Sequence, residues 1–201
     1  MNVISAFIDV NEFSRPGRTL REVKGVVLHN IGIPGQTALQ CRNYFDSLKT
    51  QNATDNKPDR SASAHDIIDF NGDVYEVVPV TEKAYHVGSS VLDPASHKVY
   101  TDLARARLGD YAKYPERISP NSCLIGIELC HGEKGIFSEN TLGSAMLRVA
   151  QYCKRFKLDP ETQIFTHHDI VGWKKCPQYW VDHPALFEAF KKDVARIMMA
   201  I

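Results

Sequence analysis

Short apolar runs without alternation mark the strands of this chain, and helical spacing marks the segments between them. Gly25-Val26-Val27-Leu28-His29 is apolar up to its histidine, which predicts a short strand buried on both faces. Asn30-Ile31-Gly32-Ile33-Pro34-Gly35 then breaks it with turn residues. Thr37 and Gln40 form a capping box, and Leu39, Cys41, Tyr44, Phe45 and Leu48 follow at helical spacing, with Cys41 as a core residue. Gln51 to Ser61 is polar and reads as a solvated loop. Ala64–Phe70 and Val74–Val78 flank Asn71-Gly72, a hairpin signal. Ala84-Tyr85-His86-Val87-Gly88 ends a further short element.

From Ser89 to Pro120 the only periodic piece is Thr101–Leu108, enough for two helical turns. So long an irregular stretch in a compact domain is expected to be a wall or lid beside a site. Cys123–Cys130 is a second buried strand, with Gly126, Glu128 and Cys130 on one face and Ile125, Ile127 and Leu129 on the other. Ser138 and Glu139 open a helix with the stripe Leu142, Ala145, Met146, Val149 and Cys153. Pro184, with Asp182 and His183 as caps, opens a last helix over about 184–199, with Leu186, Phe187, Phe190, Val194 and Ile197 inward. His183 and His97 read as loop or cap histidines. The order of elements (strand, helix, hairpin, strand, helix, strand, helix) predicts a single α/β domain over 1–201, a central mixed sheet with helices packed on it.

Composition narrows the partners. The chain has 201 residues and a formal net charge of zero, so nothing advertises a field for nucleic acid or acidic lipid. No apolar run is long enough for membrane insertion. Asp9 falls where a signal peptide needs its apolar centre, so synthesis in the cytoplasm without a signal peptide is expected. Five cysteines at irregular spacing make no disulfide framework and fit a reducing compartment.

The candidate chemistry gathers in Thr166–Pro177, THHDIVGWKKCP. Imidazole and thiolate are preferred zinc ligands, and catalytic zinc sites use three protein ligands with a fourth position open. One of His167 and His168, together with Cys176, supplies two. The best third is His29, at the carboxyl end of a central strand, where α/β sheets place ligand sites. Singly, each reads as an ordinary histidine or a buried thiol; together they favour metal. Glu128, a carboxylate inside an apolar strand, is costly to bury without a partner and marks a functional position. A closed structural zinc site would need Cys130 or His131 as a fourth donor, and a blue-copper site would need an axial methionine close after Cys176, where none follows until Met198.

Five ordered motifs carry a resemblance: VVLHN (26–30), SASAHDIIDFNGDVYEVVP (61–79), AYHVG (84–88), NSCLIGIELC (121–130) and THHD…KKCP (166–177). Over roughly Val23 to Pro177 the chain resembles the type 2 zinc N-acetylmuramoyl-L-alanine amidases, which include phage endolysins and have the peptidoglycan recognition proteins as animal relatives. The resemblance implies a central mixed sheet with helices on both faces. It also implies hydrolysis of the amide between N-acetylmuramic acid and L-alanine in bacterial peptidoglycan, by a monomer acting on the cell wall. Carried over by position, one zinc ion would bind His29, His167 and Cys176. Glu128 would be the acid/base, Lys174 would support the oxyanion, and His65, His86 and Asn30 would line the substrate site. On an extended strand adjacent side chains face opposite ways, so only one of His167 and His168 can ligate, and the Thr-His-x-Asp pattern selects His167. The spacing from histidine to cysteine is one residue longer than in similar endolysins, which sets Lys175 beside Lys174 as a rival. The alternative is a peptidoglycan binder without catalysis; such relatives typically lack the cysteine.

Overall fold

The computed structural model describes residues 1–51, 59–115 and 118–201. Most of the loop expected over 51–61 lies outside them. Among the described residues, strands β1 (Val3–Ser5), β2 (Gly25–Asn30), β3 (Asp66–Ile68), β4 (Val74–Glu76), β5 (Leu124–Leu129) and β6 (Ile164–Thr166) form one sheet in the order β1-β4-β3-β5-β2-β6. Only β3 and β4 pair antiparallel; every other pairing is parallel, so the sheet is mixed, as expected. The helices are α1 (Ala38–Ser47), α2 (Asp102–Leu108), α3 (Glu139–Phe156), α4 (His167–Val171), α5 (Gln178–Asp182) and α6 (Pro184–Ala200).

Period two sorts the strand residues onto two covered faces. Val26, Leu28, Ile125, Ile127, Leu129 and Ile164 pack against Ala145 and Val149 of α3 and Phe187, Phe190 and Val194 of α6. On the other face Val27, Leu124 and Phe165 meet α2 and α4, and Ile67 meets Ala38, Cys41 and Phe45 of α1. The unbroken apolar run of β2 is thus explained, since Val26, Val27 and Leu28 are fully buried. β1 was not foreseen, because an edge strand this short carries no readable pattern.

Several local expectations need correction. The capping box of α1 forms, but Leu39 and Tyr44 face solvent at 51% and 40% exposure, and the inward face is Ala38, Cys41, Phe45 and Leu48. Leu186 of α6 is likewise exposed, and of the two caps foreseen His183 occupies the N-cap but makes no side-chain capping bond, while Asp182 pairs with Lys175. Ala84–Gly88 forms no strand; its amides are taken by side chains, Tyr85 by Ser63 and the next three by Asn121. The described part of the 89–120 stretch packs behind α4 rather than beside the cleft described below. Val99, Tyr100, Ala104, Leu108 and Ala112 bury against Ile170 and Val171 of α4, and Thr101 caps α2 while donating its hydroxyl to the Asp169 carbonyl. No helix among the described residues is long and apolar enough to cross a membrane.

The clamp between α3 and the sheet is polar. Arg148 Nε lies 2.8 Å from Asp66 Oδ2, its Nη2 bonds Asp66 Oδ1 and Glu76, and the Tyr152 hydroxyl donates to Asp66 Oδ2 at 2.6 Å. Asp66 is buried, so removing its partner strands a charge. Arg148→Met should destabilise the fold by about 3–5 kcal/mol in urea denaturation. Adding Asp66→Asn should recover much of that loss; a double variant no better than the single would contradict a charge-desolvation cause.

Candidate active site

β2 lies between β5 and β6, with His29 beside Glu128 in the β2–β5 register and Leu28 beside Thr166 in the β2–β6 register. The residue after β6, His167, therefore leaves the sheet level with His29. It does so in a helix. Thr166 is the N-cap of α4; its hydroxyl accepts from the Asp169 amide at 3.0 Å and its amide donates to the Asp169 carboxylate at 2.7 Å. Thr-His-His-Asp is thus a capping box, and the adjacent histidines diverge by helical rotation, about 100° per residue, rather than by strand alternation. His167 is buried toward His29. His168 turns to a different cavity, between α2, α4 and α6, and its Nδ1 is buried without a partner.

The chain reverses after α4 at Gly172, whose φ of +76° favours glycine. Cys176 returns to the site because its carbonyl accepts from the His168 amide at 3.1 Å. Asn30 completes the closure: its Oδ1 accepts from the Gln178 amide at 3.1 Å and its Nδ2 donates to the Ile31 carbonyl at 3.1 Å. The Asn30 side chain thus ties the Cys176 loop to the end of β2.

His29 Nδ1 lies 3.0 Å from His167 Nδ1 and 3.9 Å from Cys176 Sγ. One donor atom from each of the three lies within 4.8 Å of the others, and this is the one such cluster found among the described residues. The donor set suits zinc. Among the described residues no fourth protein donor closes it. Cys130 is buried in the packing around α1, and the His131 nitrogens lie 2.7 Å from the Gly132 carbonyl and 2.9 Å from that of Ile31. All five cysteines are free.

A cleft of about 310 Å³ opens beside these donors, lined by His86, Asn121, Glu128, His167, Trp173 and Lys174 among others. Burial favours the neutral forms of His29, His167, Glu128 and the Cys176 thiol without a metal. It drives the His29 imidazole well below the ordinary histidine range, with His167 and His86 adding to the effect. Burial and then Lys174 take His167 down to about 3, and burial and then Glu128 push the Cys176 thiol up to about 12. Glu128 rises to about 8 through burial, opposed by the Lys174 charge, and its Oε2 has no hydrogen-bond partner. Both lysines reach solvent, but Lys174 lines the cleft whereas Lys175 pairs with Asp182 at 3.2 Å.

The remaining expected residues divide. His65 is fully buried; its Nδ1 accepts from the Gly126 amide at 2.9 Å and its Nε2 donates to the Glu82 carbonyl at 2.9 Å, which leaves no nitrogen for a ligand. His86 reaches the cleft, with its nitrogens 3.1 Å from His29 Nε2 and 3.1 Å from the Leu124 carbonyl. Sequence reading missed Asn121, Gly126 and Trp173. A Cβ on Gly126 would collide with the His86 ring, and a glycine inside a buried strand is the available signal for such close approach. Asn121 and Trp173 carry no comparable mark.

Comparison with known proteins identifies the family. A family profile described as N-acetylmuramoyl-L-alanine amidase (Amidase_2) matches residues 19–179. A probable N-acetylmuramoyl-L-alanine amidase of Bacillus licheniformis is 31% identical over 98% of this chain and 48% of its own. The N-acetylmuramoyl-L-alanine amidase BlyA of Bacillus subtilis (strain 168) is 30% identical over 94% of this chain and 46% of its own. The chain thus spans about half the length of these curated relatives. Among solved structures, the PlyG catalytic domain superposes with a TM-score of 0.68 at 16% identity, covering 98% of this chain and 96% of that one, a likeness of fold. By the profile match and by identity over nearly its whole length, the chain belongs to the N-acetylmuramoyl-L-alanine amidase family, Amidase_2.

Proposed function

We propose that the chain hydrolyses the amide between the lactyl group of N-acetylmuramic acid and L-alanine in bacterial peptidoglycan, using one zinc ion held by His29, His167 and Cys176. The observation that carries this reading is the convergence of two imidazole nitrogens and a thiol within 4.8 Å, beside a buried carboxyl that has no protein partner at Oε2. Bound zinc supplies Lewis acidity, which polarises a carbonyl and acidifies water. Glu128 takes a proton from the attacking water and returns it to the leaving amine of alanine. Its pKa of about 8 in the metal-free chain is close enough to neutrality for both roles, and a cation at the three donors draws it lower. The Lys174 ammonium opposes the negative charge that develops on the carbonyl oxygen. Asn30 supports the ligand loop, and His65 supports the ring of His86 from below.

Digestion of purified Gram-positive wall tests the bond cut. New N-terminal L-alanine should appear with no new reducing sugar, chelation should stop its release, and added zinc should restore it. New reducing ends would indicate a glycosidase; co-sedimentation with the wall and no release would indicate a binder; either outcome overturns the reading.

Metal content separates the paired histidines and lysines. His29→Ala, His167→Ala and Cys176→Ser should each lose most of the zinc, whereas His168→Ala should keep it. Lys174→Ala should retain zinc and lose most activity while Lys175→Ala stays nearly as active as wild type. Zinc retained in His167→Ala and lost in His168→Ala would reverse the ligand assignment.

Glu128→Gln should hold zinc yet lose at least about a hundredfold in turnover, the scale of general acid/base catalysis. Its metal-free stability carries a pH signature. The folded pKa of about 8 lies above the ordinary 4.5, so the protonated carboxyl stabilises the fold at low pH, and this contribution fades as pH rises through that window. Metal-free Glu128→Gln should therefore gain stability over wild type progressively from about pH 4.5 to about pH 8, read by urea denaturation. A constant difference across that range would show that Glu128 titrates normally.

A further inference from the structure

Two hydrogen bonds beneath the cleft determine which nitrogen of His29 is free. The Leu124 carbonyl, 3.1 Å from His86 Nε2, can only accept, so the His86 proton sits on Nε2. The Nδ1 of this neutral ring then carries a lone pair, and it lies 3.1 Å from His29 Nε2. His29 must donate there, which places its proton on Nε2 and leaves Nδ1 bare. That bare Nδ1 is the atom facing His167 Nδ1 at 3.0 Å and Cys176 Sγ at 3.9 Å.

The ring of His86 is held for this purpose from several sides. The Asn121 Oδ1 accepts from the amides of His86, Val87 and Gly88 at 3.0, 2.8 and 3.1 Å, which fixes the backbone that presents the ring. Gly126, in the middle of β5, leaves the space that the ring fills. His65 packs edge-to-face on it, with centroids 5.8 Å apart, and is itself locked by two backbone bonds. Both nitrogens of His86 are therefore committed within the protein, although its ring borders the cleft.

We infer that His86 is a positioning residue for the metal site rather than a substrate contact: through the chain Leu124 carbonyl, His86, His29 it imposes the tautomer in which His29 offers Nδ1 to a cation. The inference rests on the zinc reading above, and it extends that reading to a residue that would touch neither metal nor substrate. Hydrogen-bonded partners of this kind orient the ligand ring and raise its basicity, and their loss typically weakens metal binding by about 10–100-fold.

Long-range proton–nitrogen NMR of the metal-free wild-type chain, labelled at histidine, reads the tautomers directly. His86 and His29 should both carry their proton on Nε2; a proton on His29 Nδ1 overturns the inference. Zinc affinity by chelator competition supplies the second readout. His86→Phe fills the ring's space without a nitrogen and should bind zinc about 10–100-fold more weakly. His86→Gln can donate its amide N–H to the Leu124 carbonyl and accept from His29 through its amide oxygen, so it should restore most of that affinity. Wild-type affinity in His86→Phe, or a Gln variant as weak as Phe, contradicts the role of His86 while leaving zinc binding intact. A wild-type chain that binds no zinc removes the metal reading itself and this inference with it, a result distinct from a loss confined to the His86 variants. Should His86→Phe fail to fold, the wild-type tautomer spectrum decides alone.

Discussion

Burying two imidazoles, a thiol and a carboxyl in one corner of a sheet opposes folding, because none of them can ionise there without a counter-charge. His29, His167 and Cys176 are each at most 5% exposed, and the free Oε2 of Glu128 has no partner. The cost must come from the packed faces above and below the sheet, where β2 and β5 are almost entirely apolar. A divalent cation reverses the sign of this local electrostatics: it favours the thiolate, the neutral imidazole lone pairs and the ionised carboxylate at once. On the zinc reading proposed above, the site would be organised around a charge supplied from outside the chain, and its desolvated groups would hold that cation firmly.

The sheet turns this constraint into geometry. Parallel pairing brings the carboxyl ends of β2, β5 and β6 to one edge, so that His29, Glu128 and His167 arrive together from distant parts of the chain. Cys176, on the loop after α4, needs more support than His29 on its strand or His167 on its helix. It receives it from the Asn30 side chain, the His168 amide and the turn at Gly172. The wall over 89–120 does not cover the cleft from outside but backs α4, holding the helix that carries His167 against the sheet. Beneath the donors, His65, His86 and Asn121 form a polar layer whose bonds run mainly to backbone groups, which makes it rigid.

Much of this was legible in the sequence, for identifiable reasons. The strands bearing His29 and Glu128 are unbroken apolar runs ending in turn residues, and polar side chains inside them stand out. The helices with full amphipathic stripes, such as α3, were readable for the same reason. What escaped depends on three-dimensional pairing. Whether His167 and His168 sat on a strand or a helix turned on the Thr166–Asp169 capping box, which the same four letters contain but which the strand reading obscured. Lys174 and Lys175 differ in the structure because Asp182, eight and seven residues on at the end of α5, pairs with only Lys175. Asn30 and His65 were expected to line the substrate site. The structure commits their polar atoms to backbone partners, which no linear pattern displays.

The central claim is a three-ligand zinc site with a fourth position left open to solvent and substrate. X-ray absorption at the zinc edge of the zinc-loaded chain tests it directly, because sulfur and light-atom neighbours differ in distance, about 2.3 Å against about 2.0–2.1 Å. The account predicts one sulfur, two imidazole nitrogens and one further oxygen neighbour that changes when a small anionic ligand is added. A shell of two sulfurs, or of four protein ligands indifferent to added ligand, would contradict it and return the site to a structural role.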